Sequence, residues 1–171
     1  FSQSGSTFND IYHVNTLFVE VSEPDEEGNM SYGPIGVAWD GRAAQCATKK
    51  IVQINKYQGH VRGVDSTINV KDVDAICRFD HPLPELKQPP VSETDKKIAS
   101  YIVPNITDGS ILQVGLGGIA NAVAYSLEDR KHLGVHTEML TDSMAYLYKK
   151  GVIDGDNVIA GFGLGSNEVY D

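Results

Sequence analysis

The sequence has few of the residues that mark specialised classes of protein. Its two cysteines, Cys46 and Cys77, are too few for a disulfide framework and are not spaced as a zinc motif. No run approaches the roughly 18 consecutive apolar residues that a membrane helix needs, and residues 1–10 lack the basic and apolar blocks of a signal peptide. These absences predict a cytoplasmic protein with reduced thiols and no membrane segment.

Positive charge is also scarce. The chain carries 14 Lys and Arg against 23 Asp and Glu, for a net charge of -9, and none of its basic residues lies between Phe1 and Gly41. General nucleic-acid binding is therefore excluded, because phosphate attraction needs clustered Lys and Arg. An anionic small molecule is not excluded, since backbone N–H groups at the start of a helix bind such a group locally.

The hydrophobic pattern predicts an α/β fold with mainly parallel sheets and flanking helices. In the second half, strands and helices alternate at the spacing of βαβ units. The predicted strands cover residues 16–22, 51–55, 75–79, 111–114, 133–137 and 158–162. The predicted helices cover residues 42–49, a segment after Ser92 with Ile98 and Ile102 facing inward, a segment from Ile119, and residues 142–150.

Prolines are concentrated in one short segment. Four of the seven prolines fall between Pro82 and Pro90, where they exclude a helix or a central strand. We therefore expect a linker at residues 83–92, between the end of a first domain at 1–82 and the start of a second at 93–171. Because the chain stops directly after a glycine-rich stretch, we expect it to be a piece of a longer protein. Ser92 and Asp95, three positions apart, predict a capping box at the start of the next helix.

The segment from Val114 to Gly118 places three glycines between a predicted strand and a predicted helix. Beyond a simple tight turn, such a loop suits a phosphate or an oxyanion, because its N–H groups lie beside a helix N-terminus. The pattern of Gly115, Gly117 and Ala120, followed by Glu138 at the end of the next strand, fits a dinucleotide fingerprint. Alternatively, Glu138 is a carboxylate nucleophile that faces the loop.

His136, two residues before Glu138, is expected to be a packed structural residue. The residues themselves leave the dinucleotide and nucleophile interpretations open.

Several segments of the sequence, which occur in the order found in the family, resemble the acetyl-CoA hydrolase/transferase family. In character they are similar to the 4-hydroxybutyrate and butyrate:acetate CoA-transferases of family I. The resemblance covers nearly the whole chain from about Asn15 onward. The segments that carry it are Leu112–Val123, Leu133–Met139, Lys150–Ile153, Val21–Gly28, Ile51–Asn55 and His81–Glu85.

This resemblance implies parts of two CoA-transferase-like domains and an enzyme that moves CoA from an acyl-CoA to a short-chain carboxylate. It implies Glu138 as the nucleophile that becomes a glutamyl-CoA thioester. The loop residues that would bind the acyl-CoA and its oxyanion are Gly115, Leu116, Gly117 and Gly118, with the N–H of Leu116 as the main donor. Coenzyme A enters as co-substrate, no metal is expected, and the intact enzyme is expected to be a homo-oligomer. An acyl-CoA hydrolase that uses the same glutamate is the alternative, and a dinucleotide-binding module is a third.

Overall fold

The computed structural model describes residues 13–170 and divides into two compact units between Pro84 and Glu85. Residues 1–10, for which the sequence predicts no signal peptide, lie outside the described part. No helix in that part is both long enough and apolar enough to cross a bilayer.

The first unit is built on a three-stranded parallel sheet with the strand order β1-β3-β5, and a separate antiparallel pair joins β2 to β4. The predicted strands are confirmed, while the predicted helix at 42–49 begins at Asp40 and ends at Cys46. The elements are β1 (Thr16–Val21), β2 (Asn29–Ser31), α1 (Gly33–Gly36), α2 (Asp40–Cys46), β3 (Lys49–Ile54), β4 (Thr67–Asn69), a 3-10 turn (Val70–Asp72) and β5 (Ala75–Arg78).

One face of this sheet forms the core of the first unit. Burial follows the two-residue period of a strand, so that Val52 and Ile54 are buried on the same face of β3. The cluster consists of Val21, Met30, Tyr32, Ala44, Val52, Ile54 and Ile68. On the opposite face, the side chain of Phe18 is 73% exposed.

A glutamate near the end of β1 joins several segments of the first unit. Oε2 of Glu20 accepts hydrogen bonds from Nε2 of His81 at 2.6 Å and Nε2 of Gln53 at 2.9 Å. Oε1 accepts from Nδ2 of Asn55 at 3.0 Å and Nε2 of Gln58 at 3.2 Å. Four donors from three segments thus satisfy one carboxylate, because a carboxylate offers about four acceptor sites.

The second unit is a βαβ arrangement on a parallel sheet with the strand order β6-β7-β8, which confirms the predicted α/β class. Its elements are α3 (Glu93–Ile102), a 3-10 turn (Val103–Asn105), β6 (Ile111–Leu112), α4 (Gly118–Tyr125), β7 (Leu133–Leu140), α5 (Asp142–Lys149), β8 (Ile153–Gly163) and α6 (Asn167–Tyr170).

Helix α3 begins at the capping box that the sequence predicts. Oγ of Ser92 accepts from the backbone N–H of Asp95 at 3.1 Å, and Oδ2 of Asp95 accepts from the N–H of Ser92 at 2.9 Å. The predicted inward face is wrong, because Ile98 and Ile102 are 36% and 39% exposed whereas Ala99 is 1% exposed. The helix packs against α4, and a small side chain such as Ala99 lets two helices approach closely.

The core of the second unit lies between the sheet and helices α4 and α5. It consists of Ala124, Leu127, Leu133, Val135, Met144, Leu147, Val152 and Ile153. Strand lengths differ from the predicted ones: β6 ends at Leu112 instead of residue 114, and β7 continues to Leu140 instead of residue 137. Pairing with the long strand β8 extends β7, a tertiary effect that local sequence does not encode.

Candidate active site

Glu138 lies on the outward face of β7, two residues before the end of the strand. Burial alternates along β7: Val135 and Thr137 are 1% and 5% exposed, whereas His136 and Glu138 are both exposed. The prediction that Glu138 ends the strand is therefore wrong, and His136 is not packed in the core. A regular strand fixes the backbone of Glu138 more firmly than a loop would, while its side chain stays accessible.

The residue opposite Glu138 on the neighbouring strand is a glycine. Thr137 pairs with Ala160 and Met139 pairs with Phe162, so Gly161 is the residue of β8 opposite Glu138. A Cβ at Gly161 would lie 2.8 Å from the backbone carbonyl oxygen of Glu138, which is closer than such atoms approach. Residue 161 is thus held to glycine, and no β8 side chain projects next to the carboxylate.

Strand β6 leads to the glycine loop, and a side-chain hydrogen bond connects the start of that loop to β7. The ladder pairs Ile111 with Gly134 and Leu112 with Val135. Beyond the ladder, Oγ1 of Thr137 donates to the carbonyl oxygen of Val114 at 3.1 Å, across the same separation of 23 residues.

This bond joins Thr137, the residue directly before Glu138, to Val114, the residue directly before Gly115. The structure therefore brings together the two features that the sequence singles out, the loop and the glutamate.

The loop itself presents free backbone donors. Gly117 has φ +121°, a conformation that favours glycine, and it directly precedes the first residue of α4. The side chain of Leu116 is 56% exposed, and a Cβ at Gly115 or Gly117 would meet nothing within 4 Å. Within residues 13–170, no oxygen accepts a hydrogen bond from the N–H of Leu116 or Gly117. These two N–H groups are therefore available to an oxyanion.

Gly118 has different surroundings from the other loop residues. A Cβ there would clash with the carboxylate of Asp95, whose carboxyl carbon would lie 2.8 Å away. Hydrogen bonds from the side chain and backbone of Ser92 lower the pKa of Asp95, so this group is negatively charged at neutral pH. A dinucleotide site places its pyrophosphate at such a helix start. A pyrophosphate at α4 would face this carboxylate, which argues against the dinucleotide interpretation.

Two positions beside Glu138 in the sheet, Thr137 and Gly161, were not singled out from the sequence. Asp142, which is close to Glu138 in the sequence, begins α5. Oδ1 of Asp142 accepts from the backbone N–H of Ser166 at 3.0 Å and also from the Ser166 hydroxyl, which ties the turn after β8 to α5. An acidic residue at a helix start is common, so the sequence does not distinguish Asp142. Its bonds to Ser166, and the strand pairing that places Gly161 opposite Glu138, are visible only in the folded structure.

The candidate site offers backbone donors and the free carboxylate of Glu138. No group of three or more His, Cys, Asp or Glu side chains in the described part of the chain could hold a metal ion. Within the same residues, no side chain donates a hydrogen bond to the Glu138 carboxylate, so its lone pairs are free for attack on an electrophile. A free carboxylate and unpaired backbone N–H groups are the groups that covalent acyl chemistry needs.

Known proteins share both the sequence and this fold. The chain is 35% identical over 165 residues to the 4-hydroxybutyrate coenzyme A transferase of Clostridium kluyveri, a match that covers 92% of the chain and 38% of the relative. It is 34% identical to the succinyl-CoA:cyclohexane-1-carboxylate CoA transferase of Geobacter metallireducens, covering 95% of the chain and 38% of that relative. No family model matches the chain.

A solved structure supports the same relationship. The crystal structure of 4-hydroxybutyrate CoA-transferase from Porphyromonas gingivalis superimposes with a TM-score of 0.92 at 32% identity, covering 100% of this chain and 45% of that one. The chain spans 38% of the length of the two curated relatives. Across this segment, sequence and fold agree that the chain is a homologue of these CoA transferases.

Proposed function

We propose that the full-length protein containing this chain is a CoA-transferase that moves CoA from an acyl-CoA to a short-chain carboxylate. The reaction would pass through a glutamyl-CoA thioester on Glu138. The observation that supports the proposal is the hydrogen bond from Thr137, next to Glu138, to Val114, next to a loop with free N–H groups. The names of the relatives, which are CoA transferases for several carboxylates, support the same class of reaction.

In the first half-reaction, the Glu138 carboxylate attacks the thioester carbonyl of the acyl-CoA. A C–O bond forms and the C–S bond breaks, which gives an acyl-glutamyl anhydride and the CoA thiolate. The thiolate then attacks the glutamyl carbonyl, where a C–S bond forms and the C–O bond to the acyl group breaks. The acyl group leaves as its carboxylate, and glutamyl-CoA thioester stays on the enzyme.

The second half-reaction reverses these steps with a new carboxylate. The acceptor attacks the glutamyl-CoA carbonyl and releases the thiolate, which then attacks the acceptor's own carbonyl in the mixed anhydride. A new acyl-CoA leaves and the Glu138 carboxylate is restored. Each step exchanges carbonyl derivatives of comparable activation, so ATP is not needed.

The glycine loop has a defined part in this scheme. Every addition to a carbonyl produces a tetrahedral species with a negatively charged oxygen, which positioned N–H donors stabilise. The N–H groups of Leu116 and Gly117 have no acceptor among the described residues and are the donors that we assign to this role. Because these donors are backbone groups, the side chain at position 116 should matter little and the backbone conformation should matter greatly.

The test is intact-mass measurement of the full-length protein after incubation with acetyl-CoA or butyryl-CoA and no acceptor. We expect a CoA adduct that maps to Glu138 and is absent from Glu138→Ala. The matched control is His136→Ala, which removes the neighbouring exposed side chain on the same strand face and should label as the wild type does. Transfer activity retained by a folded Glu138→Ala variant would remove the glutamate from the mechanism.

The same experiment distinguishes transfer from hydrolysis. A transferase needs a carboxylate acceptor and produces a new acyl-CoA, whereas a hydrolase consumes the thioester in its absence. Acceptor-independent loss of acyl-CoA, with no exchange when acetate is supplied, would favour the hydrolase that uses the same residue.

We also propose a cytoplasmic location for this protein. Both cysteines are free, and Cys77 is exposed in β5. Exposed free thiols persist in a reducing compartment. Fractionation of the native cells, followed by detection of the protein with an antibody, would test the location directly.

A further inference from the structure

The sheet does not hold the glycine loop by its backbone. The last pair between β6 and β7 joins Leu112 to Val135, three residues before the loop begins at Gly115. Within residues 13–170, no backbone hydrogen bond connects residues 113–118 to β7. Something other than the ladder must therefore set the distance between the loop and Glu138.

The side chain of Thr137 makes that connection. Its Oγ1 donates to the carbonyl oxygen of Val114 at 3.1 Å, and it lies 3.3 Å from the carbonyl oxygen of Met139. Thr137 is 5% exposed, so water does not compete freely for this bond. The bond joins the residue directly before the nucleophile to the residue directly before the loop.

We propose that Thr137 is a positioning residue that holds the loop donors in register with Glu138. The inference rests on the proposed function and deepens it, because Thr137 itself faces inward and does not reach the reacting atoms. A threonine suits this role because its β-branched side chain is stiff at χ1 in a strand, which fixes the direction of the hydroxyl. Small displacements of donors from a developing oxyanion cost up to about a hundredfold in rate.

The experiment compares Thr137→Val and Thr137→Ser in the full-length protein. Valine keeps the branched shape and removes the hydroxyl, whereas serine keeps the hydroxyl. Adduct formation from acyl-CoA is followed in time by intact mass, which gives a rate constant and a final labelled fraction. We expect Thr137→Val to slow labelling by about 10- to 100-fold, while the final fraction and the KM for acyl-CoA stay near the wild-type values. Thr137→Ser should label within about threefold of the wild type.

The decisive result is a lower rate of labelling by acyl-CoA together with an unchanged final labelled fraction. A purely structural role would reduce the number of competent molecules, and hence the labelled fraction, without slowing the competent ones. The matched control is Thr141→Val, which removes another buried hydroxyl at the end of β7, 3.3 Å from Oγ of Ser143, without a bond to the loop. We expect this control to label at the wild-type rate.

Three results would overturn the proposal: a wild-type labelling rate in Thr137→Val, equal slowing in Thr141→Val, or no recovery in Thr137→Ser. If the valine variant does not fold, Thr137→Ala takes its place, and equal rates for Thr137→Ala and Thr137→Ser would overturn the proposal. Failure of the proposed function gives a different pattern, because Glu138→Ala would then keep its activity whatever Thr137 does.

Discussion

Two glutamates near the carboxyl ends of parallel strands have opposite surroundings. In the first unit, Glu20 on β1 accepts four hydrogen bonds from Gln53, Asn55, Gln58 and His81. In the second unit, no described side chain donates to Glu138 on β7, and its neighbour on β8 is a glycine. A saturated carboxylate joins segments of the fold, whereas an unpartnered one keeps its lone pairs for chemistry. The difference lies in the neighbours rather than in the strand or the residue type.

The largest expected effect separates the two glutamates by activity. Glu138→Gln keeps the shape and removes the nucleophilic oxygen, so kcat should fall by at least about 10⁴-fold, as for other lost nucleophiles. The exposed side chain makes no hydrogen bond within the described residues, and Tm should change by no more than about 2 °C. Steady-state kinetics and calorimetry measure both quantities. A large loss of Tm would contradict the contrast between the glutamates.

The second effect concerns the loop beside Glu138. Gly117→Val forces a β-branched residue to φ +121°, which displaces the free N–H groups, so kcat should fall by roughly 100-fold or more. Gly109→Val is the matched control, because Gly109 also has a positive φ of +76° and open space around it but lies before β6. Both variants should lose similar stability, and only Gly117→Val should lose turnover. Equal kinetic losses would assign the effect to strain alone.

The third effect is on stability in the first unit. Glu20→Ala leaves four side-chain donors without their acceptor, and the opening free energy of β1 and β3 should fall by roughly 2–4 kcal/mol. Glu23→Ala is the control, because its exposed ion pair with Arg78 should contribute no more than about 1 kcal/mol. Amide hydrogen exchange of peptides from both strands reports these changes. Unchanged hydrogen exchange in Glu20→Ala would mean that Glu20 does not stabilise strands β1 and β3.

The smallest effect is a pH dependence of the stability of β1, where His81 contacts Glu20. The pKa of His81 is raised, chiefly because the Pro82 carbonyl accepts a hydrogen bond from Nδ1 at 3.0 Å, and further because Glu20 accepts one from Nε2. Asp80 adds a weaker electrostatic attraction. A raised pKa means that the folded state favours the protonated ring, so its stabilisation is complete below the unfolded pKa of about 6.5 and is lost as pH rises through the folded value.

Hydrogen exchange, corrected for its intrinsic pH dependence, measures this effect in the wild type and in His81→Asn. The difference in protection of β1 between the two proteins should shrink from pH 6 to pH 9. A difference that stays constant or grows with pH would show that the charge of the ring does not contribute.

Local patterns predicted much of the fold. The alternation of strands and helices, the capping box of Ser92 and Asp95, and the glycine turn before α4 all depend on residues close in sequence. The inward face of α3 and the length of β7 were wrong because they depend on packing against α4 and pairing with β8. Local sequence does not encode these tertiary contacts.

The two glutamates show the same limit. Each lies in a strand among hydrophobic residues, so local sequence alone does not distinguish their surroundings. The partners of Glu20 lie 33 to 61 positions away, and Thr137 meets Val114 across 23 positions. The residue pattern and the family resemblance both singled out Glu138, whereas the bond between Thr137 and Val114 came from the folded structure.

The contact between Gly118 and Asp95 has an evolutionary consequence. One carboxylate both caps α3 and fills the space where a side chain at position 118 would stand. Mutation at either position therefore changes which residues natural selection tolerates at the other. Relatives with alanine or serine at the position of Gly118 should carry a shorter residue than aspartate at the position of Asp95. The start of the second unit and the start of the helix that follows its glycine loop would thus be inherited as a matched pair.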